Sequence, residues 1–172
     1  MESVPYETLS ELLSSFDAEA LHLEMRDAYG TAAELPHLAK WLAGEPDDTE
    51  WLKPWFDKVR TGVQAGKVFK RARVISEPVS DYQRWVLNDS HHFVEAGEDI
   101  RWVPRSRVST VALPGNDFWL FDNQTVVFLI FAGNGLVVDR QKTGDRAAIE
   151  LCRSAFDAVW ELSIPDSEYK TN

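Results

Sequence analysis

Apolar residues in the first third of the chain recur at helical spacing. Between residues 8 and 28 the intervals are mostly three or four, which is typical of an amphipathic helix. These positions are Leu9, Leu12, Leu13, Phe16, Ala20, Leu21 and Met25. Pro36 and Gly44 then bracket a short helix, and a second apolar stripe runs up to Gly66. Its members are Trp51, Leu52, Trp55, Phe56, Val59 and Val63. The pattern predicts a helical extension over residues 1–66.

The apolar pattern changes after Gly66. Residues 68–75 (VFKRARVI) form a short run rich in β-formers, which predicts a strand. The other predicted elements are a helix over residues 80–94, strands over 99–104, 118–121, 124–131 and 136–139, and a closing helix over 144–162. This order predicts an α/β core over residues 67–163. With the extension it would form a single domain over residues 1–172, in which residues 164–172 are a flexible tail.

Charge and composition narrow the classes of function. The 172 residues carry a formal net charge of −10, and residues 1–62 alone have 13 acidic and 5 basic side chains. Nucleic-acid backbones and anionic lipid repel such a chain, so direct nucleic-acid or membrane binding is not expected. The single Cys152, the lack of an apolar run of membrane-spanning length and the lack of a secretory leader lead us to expect a cytoplasmic protein.

Four stretches of the chain carry a resemblance to a family. They are residues 43–48 (AGEPDD), 71–85 (RARVISEPVSDYQRW), 95–102 (EAGEDIRW) and 117–122 (DFWLFD). Together they resemble an actinobacterial family of proteins of unknown function whose members are often encoded beside helix-turn-helix regulators. The resemblance implies a regulatory or accessory setting, with such a regulator as protein partner, and it implies no activity.

The order of elements over residues 66–163 resembles a phospholipase D-like half-domain. Enzymes of that family use a His-x-Lys-x4-Asp motif, in which His attacks the phosphodiester and Lys binds its phosphate. If Asp122 is the Asp of the motif, the His position falls on Gly115 and the Lys position on Asp117. Neither residue can do the chemistry. The resemblance therefore implies a mixed sheet with flanking helices and no catalytic residues.

Residues 71–85 form the densest polar and aromatic stretch, and two interpretations of it remain open. Its polar side chains could meet a ligand at the ends of strands, or Asp81 could cap a helix while the arginines pair with nearby carboxylates. The ligand-binding candidates are Arg73, Ser76, Glu77, Asp81, Tyr82, Arg84, Glu95, Arg101, Asp117 and Asp122. We predict that three arginines of this set, Arg73, Arg84 and Arg101, converge with Glu77 or Glu95 around one polar pocket.

Other conspicuous residues favour structural roles. His91 and His92 lie one turn from Glu95, but three ligands on one turn rarely converge on an ion, so no metal site is predicted. Cys152 lies on the apolar stripe of the last predicted helix and is expected in the core. Trp51 and Trp55 are expected to pack on the sheet. No phosphate-loop or dinucleotide fingerprint occurs, so no cofactor is predicted.

Three functional hypotheses follow from the sequence. The leading one is a non-catalytic module that binds a ligand or a protein in a bacterial regulatory system. The second is a hydrolase or transferase that uses Glu77, Asp81, Tyr82 and Arg84. The third is an acidic, antitoxin-like protein whose helical third docks on a basic partner. A small-molecule ligand and a homodimer are compatible with the leading hypothesis.

Overall fold

A computed structural model describes residues 1–170 as a mixed α/β fold. The helices are α1 (Tyr6–Ser15), α2 (Leu35–Leu42), α3 (Lys53–Gln64), α4 (Asp81–Ala96) and α5 (Arg146–Leu162). The strands are β1 (Glu2–Ser3), β2 (Glu19–Glu24), β3 (Val68–Ile75), β4 (Asp99–Pro104), β5 (Asp117–Phe121), β6 (Thr125–Phe131), β7 (Val137–Thr143) and β8 (Ile164–Pro165). Short 3-10 turns cover Glu50–Leu52 and Arg105–Val108. Within residues 1–170 no helix is long and apolar enough to span a bilayer.

All eight strands belong to one sheet, in the order β1-β7-β6-β5-β2-β3-β4-β8. The pairs β2–β3 and β3–β4 are parallel, and the other neighbours are antiparallel. Strand β2 lies in the middle, between β5 and β3. Because side chains alternate between the faces of a strand, each central strand contributes to two separate layers.

One face of the sheet is covered by α5 and is apolar. Leu21 and Leu23 of β2 pack there with Phe118 and Leu120 of β5 and with the buried side of the helix. That side of α5 consists of Cys152, Ala155, Phe156 and Val159. The expectation that Cys152 is a core residue is confirmed, and burial raises the pKa of its thiol to about 12.

The other face is covered by α1, α3 and α4. Near the start of β2 it is apolar, because Ala20 packs with Phe16 and Phe69. The predicted stripe of α3 packs on this layer through Phe56 and Val59, with Trp55 partly buried beside them. The expectation that this stripe lies against the sheet is confirmed for these three residues.

Most predicted elements after Gly66 agree closely with the structure, but the strand predicted over residues 136–139 continues to Thr143. Strands β3 and β4 have the predicted bounds, and α4 ends as expected at Gly97, whose φ of 110° suits glycine. The cap at the start of α4 differs. Ser80, not Asp81, is the N-cap, since its hydroxyl accepts a hydrogen bond from the backbone N–H of Gln83.

Two sequence expectations at the ends of the chain are wrong. The helical pattern over residues 8–28 stops at Ser15, and the following residues form the central strand β2, so the first 66 residues are not a purely helical extension. Five of the six residues of β2 are buried, and burial on both faces hides the alternation expected of a strand. The predicted flexible tail is ordered at least in part, because β8 pairs with β4 and Tyr169 stacks on Trp102. Residues 171–172 lie outside the described chain.

Candidate ligand-binding cavity

The register of the central strands brings polar side chains together on the face beneath α3 and α4. His22 of β2 is opposite Trp119 of β5 and Arg71 of β3. Two residues further along the strands, Glu24 of β2 is opposite Arg73 of β3. On the β5 side, the carboxylate of Asp117 accepts a hydrogen bond from the backbone N–H that follows Glu24, at 2.9 Å. The apolar layer near the start of β2 thus changes into two buried polar rows.

Two arginines share one carboxylate in these rows. Glu24 contacts Arg71 through Oε1 and Arg73 through Oε2, and Arg71 also donates from Nε to Oε1 of Glu98 at 2.6 Å. All four side chains are less than 12% exposed. Burial opposes the charged form of Glu24, but the guanidinium groups of Arg73 and Arg71 outweigh it and hold the pKa of Glu24 well below its usual range. This network is a balanced set of two cations and two anions.

Aromatic rings surround the Arg71 side of the network. The guanidinium of Arg71 lies 5.8 Å from the ring centres of Trp55, Phe93 and Trp119. The ring of His22 stacks on Trp119 at 4.1 Å, and its Nδ1 donates to the carbonyl of Phe118 at 2.8 Å, since a carbonyl oxygen can only accept. Such rings limit access of water to the charges and fix the direction of the arginine.

A second pair of carboxyl groups lies beside the network and has a different environment. Asp117 accepts a hydrogen bond from the hydroxyl of Tyr29, and Glu34 accepts one from the hydroxyl of Tyr82 at 3.0 Å. Within residues 1–170, no Lys, Arg or His nitrogen lies within 4.0 Å of either carboxyl group. Burial therefore dominates and raises the pKa of both Asp117 and Glu34.

These groups line a cavity of about 330 Å³ between the sheet and the helices. Its walls are largely aromatic. The aromatic members are Tyr6, Tyr29, Trp51, Trp55, Tyr82, Trp85, Phe93, Trp119 and Phe131. The stacked rings of His37, Trp51 and Trp85 connect α2, the turn before α3, and α4 along one side. An apolar cavity with a few convergent polar groups is the usual form of a small-molecule site.

Arg73 is the residue of this cavity whose hydrogen-bonding capacity is least used. It is 6% exposed, it lines the cavity, and its Nε has no acceptor among the described residues. Among the described residues its ion-pair partner is Glu24, and its guanidinium lies 5.4 Å from the centre of the Trp102 ring. A buried donor without an acceptor is costly, so this nitrogen is well suited to an acceptor supplied from outside the chain.

Three of the ten candidate residues from the sequence lie at this cavity: Arg73, Tyr82 and Asp117. The prediction that three arginines converge with Glu77 or Glu95 is wrong. Arg84 forms an exposed pair with Asp81, and Arg101 lies on the opposite face, 4.2 Å from the ring of Trp160. Alternation along β4 places Arg101 away from the side chains that face the cavity.

The remaining candidates have separate partners. Ser76 bonds to Asp27 through its backbone N–H and its hydroxyl, each at 2.7 Å. The carboxylate of Glu77 accepts a hydrogen bond from the hydroxyl of Tyr169 at 2.8 Å. Glu95 is exposed and lies 3.9 Å from His92. Within residues 1–170 no group of three or more His, Cys, Asp or Glu side chains is arranged to hold a metal ion.

Asp122 has a structural role distant from the cavity. It directly follows β5, and its carboxylate accepts hydrogen bonds from the backbone N–H groups of Asp17, Ala18 and Glu19 at 2.7, 2.7 and 2.9 Å. These bonds outweigh the effect of burial and lower the pKa of Asp122. The carboxylate thereby fixes the start of β2 against the end of β5.

Sequence reasoning missed most of the polar residues of the cavity. They include His22, Glu24, Tyr29, Glu34 and Arg71. One signal was present: Arg71 and Arg73 alternate with apolar residues in VFKRARVI, which places two charges on one face of a strand that is otherwise apolar. Charges in such a position need buried partners.

Comparison with known proteins gives the family and the fold. Residues 7–171 match the sequence profile of a family described as a domain of unknown function, DUF6879. The chain belongs to this family. No curated protein matches it in sequence.

Two solved structures illustrate the fold. The chain is similar to a phospholipase D family member, Nuc from Salmonella typhimurium, with a TM-score of 0.54 and 8% identity, over 93% of this chain and 89% of that one. It is also similar to TrmBL2, described as an archaeal chromatin protein with a novel mode of DNA binding, with a TM-score of 0.49 and 14% identity. That match covers 91% of this chain and 48% of TrmBL2, so the chain spans about half of that protein's length. The DUF6879 chain has a phospholipase D-like fold, as its element order predicted.

Proposed function

We propose that this DUF6879 protein is a non-catalytic module that binds a small molecule in the cavity beneath α3 and α4. The observation that carries the proposal is Arg73, whose side chain lines the cavity and whose buried Nε lacks an acceptor among the described residues. Burying charged groups costs free energy that apolar residues of similar volume would avoid. A ligand that uses these groups is a physical reason for retaining them.

The positions that correspond to phospholipase D chemistry support a non-catalytic role. If Asp122 is the Asp of the His-x-Lys-x4-Asp motif, Gly115 falls at the position of the nucleophilic His and Asp117 at that of the phosphate-binding Lys. A glycine offers no nucleophile, and a carboxyl group repels phosphate. We therefore expect no turnover of bis(4-nitrophenyl) phosphate above background between pH 5 and 9, with or without divalent metals. Robust turnover by the purified natural protein would refute the non-catalytic assignment.

A thermal-shift screen tests ligand binding directly. The purified full chain is heated with single compounds from a panel of amino acids, nucleobases and aromatic acids, each at 1 mM as an order-of-magnitude choice above an expected micromolar Kd. A ligand present at about 100 times its Kd stabilises the folded state by about 2.7 kcal/mol, so Tm rises by several degrees. Fluorescence from the tryptophans that line the cavity reports on the same binding.

A matched pair of variants assigns the binding to the cavity. R73M keeps most of the length of the side chain and removes its donors, whereas R146M changes an arginine of α5 whose side chain is 92% exposed. We expect R73M to abolish the shift and R146M to preserve it. A shift that is identical in R73M and the natural protein would contradict the proposed site.

The hydrolase or transferase hypothesis gains no support from the geometry. Of its four residues, Tyr82 lines the cavity, Glu77 bonds to Tyr169, and Asp81 pairs with Arg84 on the surface. A nucleophile and its base need to lie within hydrogen-bonding distance of one another. These four side chains form no such constellation.

We extend the proposal to a regulatory role in the cytoplasm, in which the module acts with a protein partner such as a helix-turn-helix regulator. The acidic excess of residues 1–62 supports attraction to a basic surface. Co-expression with the neighbouring regulator, followed by affinity purification at about 0.1 M and 1 M salt, tests this part, since screening shortens the range of exposed charges about threefold. Co-purification only at low salt is expected, and a regulator that never co-purifies would refute it.

A further inference from the structure

One side chain that lines the cavity, Arg73, has a buried donor without an acceptor among the described residues. Nε of Arg73 has no acceptor among the described residues, and the side chain is held in place by Glu24 on one side and by the ring of Trp102 on another. A guanidinium fixed in this way is suited to a carboxylate, because its donors lie in one plane and match the two oxygens.

The cavity also offers acceptors that no cation of the described chain uses. Among the described residues, the partners of the carboxyl groups of Asp117 and Glu34 are neutral donors: the hydroxyls of Tyr29 and Tyr82, the side chain of Thr31 and the backbone N–H of Met25. The two tyrosine rings lie 5.6 Å apart, so the two carboxyl groups belong to one corner of the cavity. Aromatic faces next to carboxylates favour an ammonium group.

The distance between Arg73 and Asp117 suits a small molecule that carries both a carboxylate and an ammonium group. Asp117, Glu24 and Arg73 belong to the neighbouring strands β5, β2 and β3. Since neighbouring strands are about 4.8 Å apart, the backbones at Asp117 and Arg73 are separated by about 10 Å. Both side chains line the cavity, and Glu24 lies on the strand between them.

We propose that the cavity binds a free α-amino acid with an apolar or aromatic side chain. Its carboxylate accepts hydrogen bonds from Arg73, and its ammonium group donates to Asp117 and Glu34. Its side chain lies against the indole rings of Trp51, Trp55 and Trp85, which line the same cavity. This inference rests on the proposed function, because it names the class of ligand for that site.

Three compounds that share a phenylethyl unit test the two charged contacts separately. L-phenylalanine carries both charges, phenethylamine has only the ammonium group, and 3-phenylpropanoate has only the carboxylate. Isothermal titration of the full chain should show L-phenylalanine binding at least about tenfold more tightly than either analogue, which corresponds to about one additional charged hydrogen bond. Equal affinity for L-phenylalanine and one analogue would overturn the proposal.

Two variants assign each contact to its side chain. D117N keeps the oxygen that accepts from Met25 but removes the charge, so it should weaken L-phenylalanine and phenethylamine about tenfold and leave 3-phenylpropanoate unchanged. R73M should weaken L-phenylalanine and 3-phenylpropanoate and leave phenethylamine unchanged. If D117N proves unfolded by circular dichroism, E34Q at the half-buried rim replaces it with the same expected pattern. Equal losses for all three compounds in both variants would overturn the assignment.

The outcomes also separate this inference from the proposed function. If none of the three compounds binds but another compound of the screen does so in an Arg73-dependent manner, the ligand class is wrong and the small-molecule site stands. If no compound of the screen binds, both proposals fail.

Discussion

The two faces of the central sheet are built from the same strands but have opposite chemistry. Toward α5, strand β2 presents Leu21 and Leu23, and toward α3 and α4 it presents His22 and Glu24. Strand β3 repeats the contrast, with Ala72 and Val74 on the first face and its two arginines on the second. The buried core on the α5 face is apolar and the partly exposed Arg101 lies beside it, whereas the other face holds buried charged side chains next to the cavity.

The two faces differ in what they contribute to the protein: one stabilises the fold, and the other positions the groups of the cavity. Apolar packing on the α5 face gains free energy from every buried methylene. On the other face, Glu24, Arg71 and Glu98 lose hydration on burial, and their mutual attraction offsets that loss only because the contacts are close. We infer that the α5 face holds the sheet together, whereas the polar face fixes the positions of the groups that line the cavity.

The largest effect is expected on the apolar face. Phe156 of α5 is 2% exposed and packs in the core, so F156A should lower the free energy of unfolding by about 3–5 kcal/mol through lost burial and a residual cavity. Urea denaturation measures this loss. The control L151A, at an exposed position of the same helix, should change stability by less than about 0.5 kcal/mol. A loss under 1 kcal/mol for F156A would mean that this face is not the main source of stability.

Breaking the ion network should have the next largest effect. E24Q removes the charge that Arg71 and Arg73 share. We expect the free energy of unfolding to fall by about 3 kcal/mol at pH 7. This value is at the low end for a broken buried ion pair because Arg71 still pairs with Glu98. Folding lowers the pKa of Glu24. The stabilisation of the folded state by this carboxylate is therefore fully present above the pKa of Glu24 in the unfolded chain, and it is lost as pH falls through the pKa in the folded state. Urea denaturation at pH 7 and at pH 3 should show a smaller acid loss in E24Q than in the natural protein.

The matched control for E24Q is E150Q. Glu150 is exposed and pairs with Arg146 on the surface, so its substitution should stay within about 0.5 kcal/mol at both pH values. Equal effects of E24Q and E150Q would show that the network contributes nothing to the folded state.

The smallest expected effect concerns Asp117. Burial raises its pKa, so ionisation opposes folding, and stability falls as pH rises from the unfolded pKa toward the folded one. D117N mimics the neutral form, and its stability relative to the natural protein should therefore increase between pH 4 and pH 7. Thermal unfolding across this range measures the trend.

Asp122 is the control for Asp117, because its ionised form should stabilise the folded state rather than destabilise it. Its pKa is lowered by three backbone N–H groups, so the natural protein should lose stability relative to D122N as pH falls below about 4. If D117N and D122N showed the same trend, the contrast between the buried and the backbone-bound carboxyl group would be wrong.

Local pattern predicted those elements whose environment is uniform along their length. Strand β3 was predicted with its observed bounds, and the apolar stripe from Trp51 to Val63 predicted the helix that the structure places at Lys53–Gln64. Strand β2 was missed because its sequence, EALHLE, places polar side chains in a buried layer and continues the spacing of the helix before it. A rule that assigns polar residues to solvent cannot find such a strand.

The candidate site was predicted in part for a related reason. Arg73, Tyr82 and Asp117 were singled out by their chemistry and do line the cavity. Glu24 lies about 50 residues from its partner Arg73 along the chain, and Glu34 lies about as far from its partner Tyr82, so these pairs meet only through strand pairing and helix packing. Register is a property of the assembled sheet, so single-sequence reasoning has no access to these pairings.

The central place of β2 has a consequence for the order in which the chain folds. Leu21 pairs with Leu120 across the β2–β5 ladder, and these residues are about 100 positions apart. The middle of the sheet therefore cannot close on a ribosome until more than two thirds of the chain has emerged, and the loop between the two strands carries an entropic cost of closure. Until then the apolar residues of β2 have β3 as a neighbour and lack β5. Premature termination before β5 should leave an exposed strand edge, which is a ready template for aggregation.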